Sequence, residues 1–268
     1  MVRQLALPIT LPDAADFDSY RAVTAAGGEA LSLLPRLPPA SLAYLWGGAG
    51  TGKTHLVMAC CRRTDAGLYL PLAALRERSP TEVLGDLDRL EVLALDEFDA
   101  VAGDPQWELA LFHLHNRLLG GGGRMVIAAR ASPRALAFGL PDLRSRLLAG
   151  YGFGLSPYTD DQLLDILRFR AGRLGLNLGI DAARYLLHRM PRELGPLIGL
   201  LHKLDRAALA DQRQLTIPFI KRTMAEVHGP QATQAHPLGP AEPGAAPASC
   251  SAGTASHAWS AQLSTKPS

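Results

Sequence analysis

The chain is short of cysteine, of lysine and of long apolar runs, and each shortage closes off a class of protein. Its 268 residues hold three cysteines, Cys60, Cys61 and Cys250. That number makes neither a disulfide framework nor a metal site, and the adjacent pair is expected on a core-facing helix in a reducing cytoplasm. No apolar run approaches the ~18 residues that a membrane-crossing helix needs. The opening residues carry one arginine and a short apolar stretch broken by Pro8 and Pro12, unlike the apolar core and small-residue cleavage site of a signal peptide. A net charge of only +2 argues against a polyanion binder working by bulk electrostatics. Lys53 is one of four lysines among 27 cations, which marks it as a candidate point charge. A hydrophobic share of 47% with mean hydropathy near zero is what a globular chain of one or two domains needs to bury a core.

The last forty or so residues, from 229 to 268, are mostly Ala, Pro, Gly, Ser, Thr and Gln. Such a composition buries too little apolar area to offset chain entropy, so this tail is expected to be disordered and the folded part to end near Val227. No internal repeat recurs at a 20–50-residue period. Short apolar runs at 42–46, 67–70, 92–95, 125–129 and 151–155 read as strands, with helical spacing at about 54–63 and at 107–119, the latter stopping at Gly120–Gly123. Alternating strands and helices predict a parallel sheet covered on both faces. From Thr159 the period becomes 3.6, predicting helices over 160–174, 181–190, 193–210 and 217–227, with Thr159 or Asp160, Asp181 and Thr216 as N-caps and Pro218 in a first turn. An α/β domain at 13–157 followed by a small helical lid at 158–228 is the outline of an AAA+ module, by analogy of fold.

Gly47-Gly48-Ala49-Gly50-Thr51-Gly52-Lys53-Thr54 matches the phosphate-loop pattern G-x-x-x-x-G-K-[ST], with a strand before it and a helix after it. Glycines let the backbone wrap and turn its N–H groups inward toward phosphate at a helix N-terminus. Lys53 would supply charge at the β- and γ-phosphates of ATP or ADP, and Thr54 a hydroxyl to Mg²⁺. The competing reading is a merely flexible glycine-rich loop. Asp96-Glu97 closes the third strand, where Asp96 would hold hydrated Mg²⁺ and Glu97 orient or deprotonate water; carboxylates after a strand also form ordinary turns.

Arg146, in Leu143-Arg144-Ser145-Arg146-Leu147, stands where AAA+ proteins present an arginine finger to a neighbour's nucleotide, with Arg144 as the fallback. Arg192, expected to open the third bundle helix, stands where a sensor-II arginine contacts phosphate. From the residues alone both are solvated surface cations. His113 and His115 are spaced for neither one helical face nor a zinc site. Trp107 and Phe112 read as core.

These stretches resemble the Hda family, DnaA-related regulatory inactivators of the AAA+ superfamily. Residues 46–56 and 143–147 resemble the Walker A and arginine-finger stretches of DnaA. No segment after Val227 reads as the DNA-binding helix-turn-helix domain of DnaA, and DnaA's own N-terminal domain has no counterpart here. Residues 4–8, 102–117, 139–143, 204–207 and 215–219 resemble Hda, so the likeness runs from about Gln4 to Glu226.

The resemblance implies that Gln4, Leu5, Leu7 and Pro8 form a peptide, within residues 1–12, that plugs the pocket of the DNA polymerase sliding clamp; as a bare pentapeptide it reads as a frayed terminus. It also implies an ADP- or ATP-bound protein that sits on DNA-loaded clamp and makes DnaA hydrolyse its ATP, with Arg146 acting in trans. DNA contact is then indirect, the setting is cytoplasmic near the replisome, no membrane is involved, and a homo-oligomer stays open. The fourth strand ends Ala128-Ala129, where a polar sensor-I residue is expected, which speaks against efficient hydrolysis in cis. The alternative is a self-acting AAA+ ATPase such as a helicase-loader-like protein.

Overall fold

The computed structural model describes residues 15–211 and 215–228. The expected clamp peptide and the tail from 229 onward lie outside the described residues. In chain order the first elements are α1 (Ala25–Leu33), β1 (Leu42–Trp46), α2 (Lys53–Cys61), β2 (Gly67–Pro71), α3 (Leu72–Leu75) and α4 (Pro80–Leu84). Then come β3 (Val92–Asp96), α5 (Pro105–Gly120), β4 (Arg124–Ala129), α6 (Pro141–Leu148) and β5 (Tyr151–Gly154). The helices α7 (Asp160–Arg173), α8 (Ile180–Arg189), α9 (Leu194–Asp211) and α10 (Ile217–His228) follow.

The five strands form one parallel sheet in the order β2-β3-β4-β1-β5. Side chains alternate across a strand, and here both faces are apolar. Leu42 and Tyr44, Leu93 and Leu95, and Met125 and Ile127 join one buried cluster with Trp107, Leu111 and Leu114 of α5. Their neighbours Ala43, Leu45, Ala94, Val126 and Ala128 join another with Leu56, Val57 and Cys60 of α2. The three small alanines on that face leave room for α2 to lie close over the centre of the sheet. Burial on both faces is the condition a parallel sheet imposes, so this α/β architecture with helices on both sides is the expected one.

The order matters for function. β4 sits between β1 and β3, so the chain leaves β1 and β3 on either side of a crevice at the carboxyl ends of the strands, where ligands bind in open α/β sheets. Trp46 pairs with Ala129, and Gly47 N–H donates to the Ala129 carbonyl at 3.3 Å. The phosphate loop therefore starts level with the end of β4.

The helical part has its own core of leucines, including Leu163, Leu167, Leu186, Leu197, Leu201 and Leu204, with Phe219 and Ile220. α7 starts at a full capping box. Thr159 Oγ1 accepts from Gln162 N, and the Gln162 amide oxygen accepts from Thr159 N at 2.9 Å. Thr216 accepts from Phe219 N at 3.4 Å ahead of α10.

Several boundaries differ from expectation. α8 begins at Ile180 with Gly179 as N-cap, so Asp181 is not the cap but an acidic residue in the first turn, where it favours the helix dipole. α9 begins at Leu194, so Arg192 lies in the turn before it rather than opening it. α2 runs Lys53–Cys61 rather than about 54–63. Replacing Thr159 by Ala removes one side of the capping box and should cost about 1 kcal/mol, read as a lower urea midpoint with an unchanged slope.

Candidate functional site

The phosphate loop is packed tightly at Gly47 and Gly52. A Cβ on Gly47 would lie 2.1 Å from the Leu155 carbonyl oxygen, so no larger residue enters where the loop leaves β1. Gly52, the N-cap of α2, holds φ +87°, and a Cβ there would sit 2.9 Å from the Tyr20 ring and 3.1 Å from the Tyr158 hydroxyl. Lys53 folds back into the loop, its Nζ donating to the Gly47 carbonyl at 2.8 Å, the Gly48 carbonyl at 2.6 Å and, more weakly, Thr51 Oγ1 at 3.4 Å. Partial burial pulls its pKa below the ordinary lysine value and the charge of Arg130 adds to this, while Asp96 and Asp99 oppose it.

Asp96, at the end of β3, is 3% exposed. Its Oδ2 accepts from Thr54 Oγ1 at 2.6 Å and from the Tyr69 hydroxyl at 3.0 Å, and its Oδ1 from Glu97 N at 2.8 Å. Glu97 is exposed and sits at φ +54°, in left-handed backbone. Burial, then the charges of Asp96 and Asp99, raise its pKa, opposed by Arg130.

The sequence reading found no polar residue at Ala128-Ala129, and both are buried. The polar residue comes one position later. Arg130 N donates to Asp99 Oδ1 at 2.8 Å, and its guanidinium lies 3.7 Å from Asp99 Oδ2 with the side chain 81% exposed. Its charge is felt at both Lys53 and Glu97. Nothing in the sequence pattern singled out Arg130, because only the sheet brings the end of β4 level with the phosphate loop.

A cavity of about 500 Å³ opens beside the loop, lined by residues 50–55, Met58, Tyr20, Tyr158, Ile166 and the start of α9. One wall is a strap formed by residues 15–23. His55 Nε2 lies 2.7 Å from the Asp16 carbonyl and 3.3 Å from Ser19 Oγ, and its ring tilts against Tyr20. On its other side the strap is held by α7, with Arg170 donating to the Ser19 carbonyl, Gln162 to the Val23 carbonyl, and Arg21 paired with Asp165. Tyr158 closes the floor, its hydroxyl donating to the Thr51 carbonyl at 2.9 Å. The sequence reading missed these lining residues outside the loop, since none belongs to a spaced motif.

The residues present fit a nucleotide phosphate with its cation. Lys53 Nζ, the loop amides at the start of α2, the Thr54 hydroxyl and the Asp96 carboxylate are the hard-oxygen and cationic groups such a ligand needs, and Thr54 and Asp96 are hydrogen-bonded to each other. Among the described residues no three His, Cys, Asp or Glu side chains converge on a metal by themselves.

The arginines lie elsewhere. Arg144 and Arg146 are exposed on α6, make no ion pair among the described residues, and do not line the cavity. Arg192 is also outside the lining and pairs with Asp160 at 3.2 Å in the open; its neighbours Glu193 and Leu194 form the wall against Gly50. His113 is exposed, whereas His115 is buried beside Asn116 and feels the charge of Arg146. Trp107 is buried, with its indole N–H on the Arg76 carbonyl, and Phe112 packs on the same core.

Residues 160–224 match the family described as the Hda lid domain. That stretch is similar to an Hda lid, and the chain as a whole has the fold of AAA+ structures. Its fold is similar to that of domain III of the replication initiation protein DnaA from Thermotoga maritima, at TM-score 0.64 and 19% identity over 81% of this chain and 98% of that one. AMPPCP-bound DnaA from Aquifex aeolicus is similar at 0.59 and 18%, over 82% and 71%. The RuvB Holliday junction branch migration motor of Thermotoga maritima shares the fold at 0.57 and 18%, over 80% and 72%. Among the described residues no helix is long and apolar enough to cross a membrane.

Burial lowers the pKa of His55 below its ordinary 6.5; its contact with the Asp16 carbonyl opposes this, and Arg170 and Arg62 add to it. The unfolded chain therefore takes up this proton first as pH falls through 6.5, and stability drops from there toward the lower folded value. Replacing His55 by Gln should flatten the fall in urea midpoint between pH 7.5 and 5.5 relative to wild type. An unchanged pH slope would show that His55 titrates as freely folded as unfolded.

Proposed function

We propose that this chain is a nucleotide-bound regulator of replication initiation that stimulates ATP hydrolysis by DnaA while docked on the DNA-loaded sliding clamp. The observation that carries the reading is the placement of Arg146. It is exposed at the end of α6 and does not line the cavity that holds Lys53, so its guanidinium is available to a phosphate site on another molecule. The Hda lid domain at 160–224 and the likeness to DnaA point to DnaA as that molecule.

An adenine nucleotide, ADP or ATP with Mg²⁺, would lie in the chain's own cavity, and a similar structure is described as AMPPCP-bound DnaA. Bound there, it supplies phosphate charge that the loop amides and Lys53 neutralise, while Thr54 and Asp96 would hold the metal. Gly47, Gly48, Gly50 and Gly52 shape the loop. Arg192 would have to leave Asp160 to reach a phosphate, an exchange that costs little because that pair is exposed. Because the strap and α7 share the cavity walls, a ligand between them ties the lid to the sheet. In DnaA's site Arg146 would stabilise charge developing on the transferred phosphoryl group, and the peptide Gln4-Leu5-Ala6-Leu7-Pro8 would dock on the clamp.

A second reading keeps one observation of its own. Thr54, Asp96 and exposed Glu97 form the groups a self-acting ATPase needs. Turnover of ATP by this chain alone, equal to that of the full mixture with DnaA, clamp and DNA, would establish that reading and end the first.

Arg146→Ala should lower DnaA-ATP hydrolysis in the full mixture by about 10³-fold or more, with nucleotide binding to this chain unchanged by titration calorimetry. Retained stimulation would move the role to Arg144 or elsewhere. Replacing Gln4, Leu5 and Leu7 together by Ala should abolish clamp binding in surface plasmon resonance without lowering the thermal midpoint; undiminished binding would place the clamp contact on the globular part.

A further inference from the structure

We infer that Glu108 on α5 is the positioning residue that aims Arg146, an inference resting on the trans-acting role proposed for that arginine. Glu108 is 1% exposed and has no cationic partner among the described residues. Its carboxylate is instead satisfied by three backbone amides. Gly103 N donates to Oε1 at 2.7 Å, Gly139 N to Oε1 at 3.2 Å and Leu140 N to Oε2 at 2.7 Å. Amide bonds to a buried carboxylate are stronger than neutral ones and costly to break.

Leu140 is the N-cap of α6 and has no side-chain acceptor of its own. Glu108 thus accepts, from a different helix, the N-cap amide that a Glu or Gln at the third helical position takes in a capping box, and it sets a negative charge at the positive end of α6. Beneath α6, Leu143 and Leu147 are buried and fix its rotation. Two turns further along α5, on the same face, His115 is buried, and Leu143 and Leu147 share one buried cluster with Leu111 and Leu114 of α5. α6 is therefore fastened to α5 at its start and rests against it near its end.

The lever is short but steep. Arg146 lies six residues beyond Leu140, about 9 Å along the axis. A tilt of about 10° at the anchored end would swing it by roughly 1.5 Å, and a misplacement of about 1 Å can cost about 10²-fold in rate. The carboxylate also holds Gly103, in the turn that follows Asp96 and Glu97 out of β3. One buried group thus links the segment leaving the chain's own phosphate site to the helix that presents Arg146.

The test is Glu108→Gln, which keeps the side chain's size but turns an NH₂ toward amide donors. DnaA-ATP turnover with clamp and DNA should fall at least tenfold in kcat, while the affinities for nucleotide and for DnaA stay unchanged. The loss should vanish when the same change is made in Arg146→Ala, and amides 139–148 should exchange hydrogen at least tenfold faster with those of α2 unaltered. Turnover within twofold of wild type, a loss that persists beside Arg146→Ala, or a parallel loss of affinity would overturn the inference. If wild type itself fails to stimulate DnaA, the trans-acting reading falls and this one with it; normal stimulation with an unaffected variant removes only the role of Glu108. Should Glu108→Gln fail to fold by circular dichroism, Glu108→Asp, which draws the acceptors back by one methylene, takes its place with the same readouts.

Discussion

Thr54 donates its hydroxyl hydrogen to Asp96 across 2.6 Å, joining the first turn of α2 to the end of β3. That single bond spans two elements 42 residues apart in the chain, and the strand order makes it available. With β4 inserted between β1 and β3, the phosphate loop and the acidic pair leave the sheet at the same edge, on either side of one crevice. The alanines on the α2 face of the sheet bring the helix close enough for its first hydroxyl to reach the strand end. Lys53, the loop carbonyls it bonds and the cavity beside them all take their places from that joint.

Two buried carboxylates then divide the work of the molecule. Asp96 is satisfied by a hydroxyl from α2, a phenol from β2 and the next backbone amide, and it stays within the chain's own phosphate site. Glu108 is satisfied by three amides from two segments and faces away toward α6. Desolvating either charge would be prohibitive without those donors. Among the described residues, no buried side-chain nitrogen or oxygen lacks a partner. Among the described residues the buried polar network is complete, and Arg144 and Arg146, which make no ion pair there, are on the outside.

How legible this was depends on the range over which each feature is encoded. The phosphate loop was read in full because a contiguous octapeptide carries it, and the strands because a parallel sheet demands apolar runs on both faces. The Thr159 cap was legible because capping is a three-residue affair. By contrast α1, α3, α4 and α6 were not read, since short helices lacking a strong polar–apolar stripe leave little periodic signal. Asp181 was assigned as a cap because Asp is a good one, yet Gly179 does the job and Asp181 contributes through the dipole instead. Arg130 went unnoticed and the site was expected to lack a polar residue at the end of β4, because its relevance depends on register with β1. The strap, with Ser19 and Tyr20 against His55, is a contact between residues some 35 positions apart in sequence and belongs to no motif.

What the sequence by itself determined is the chemistry that lives in adjacent residues. It determined a loop whose glycines free the backbone to face phosphate, a lysine and threonine at the start of a helix, and an acidic pair at the end of a strand. The tertiary structure decided which of the scattered polar residues meet. Parallel pairing set Arg130 beside the loop, packing of α7 on the strap closed the cavity, and the reach of Glu108 from α5 fastened the helix bearing Arg146. Backbone torsions and local hydrogen bonds act over a few residues and can be read along the chain. Burial, register and charge act through space, and only the folded arrangement gives them their partners.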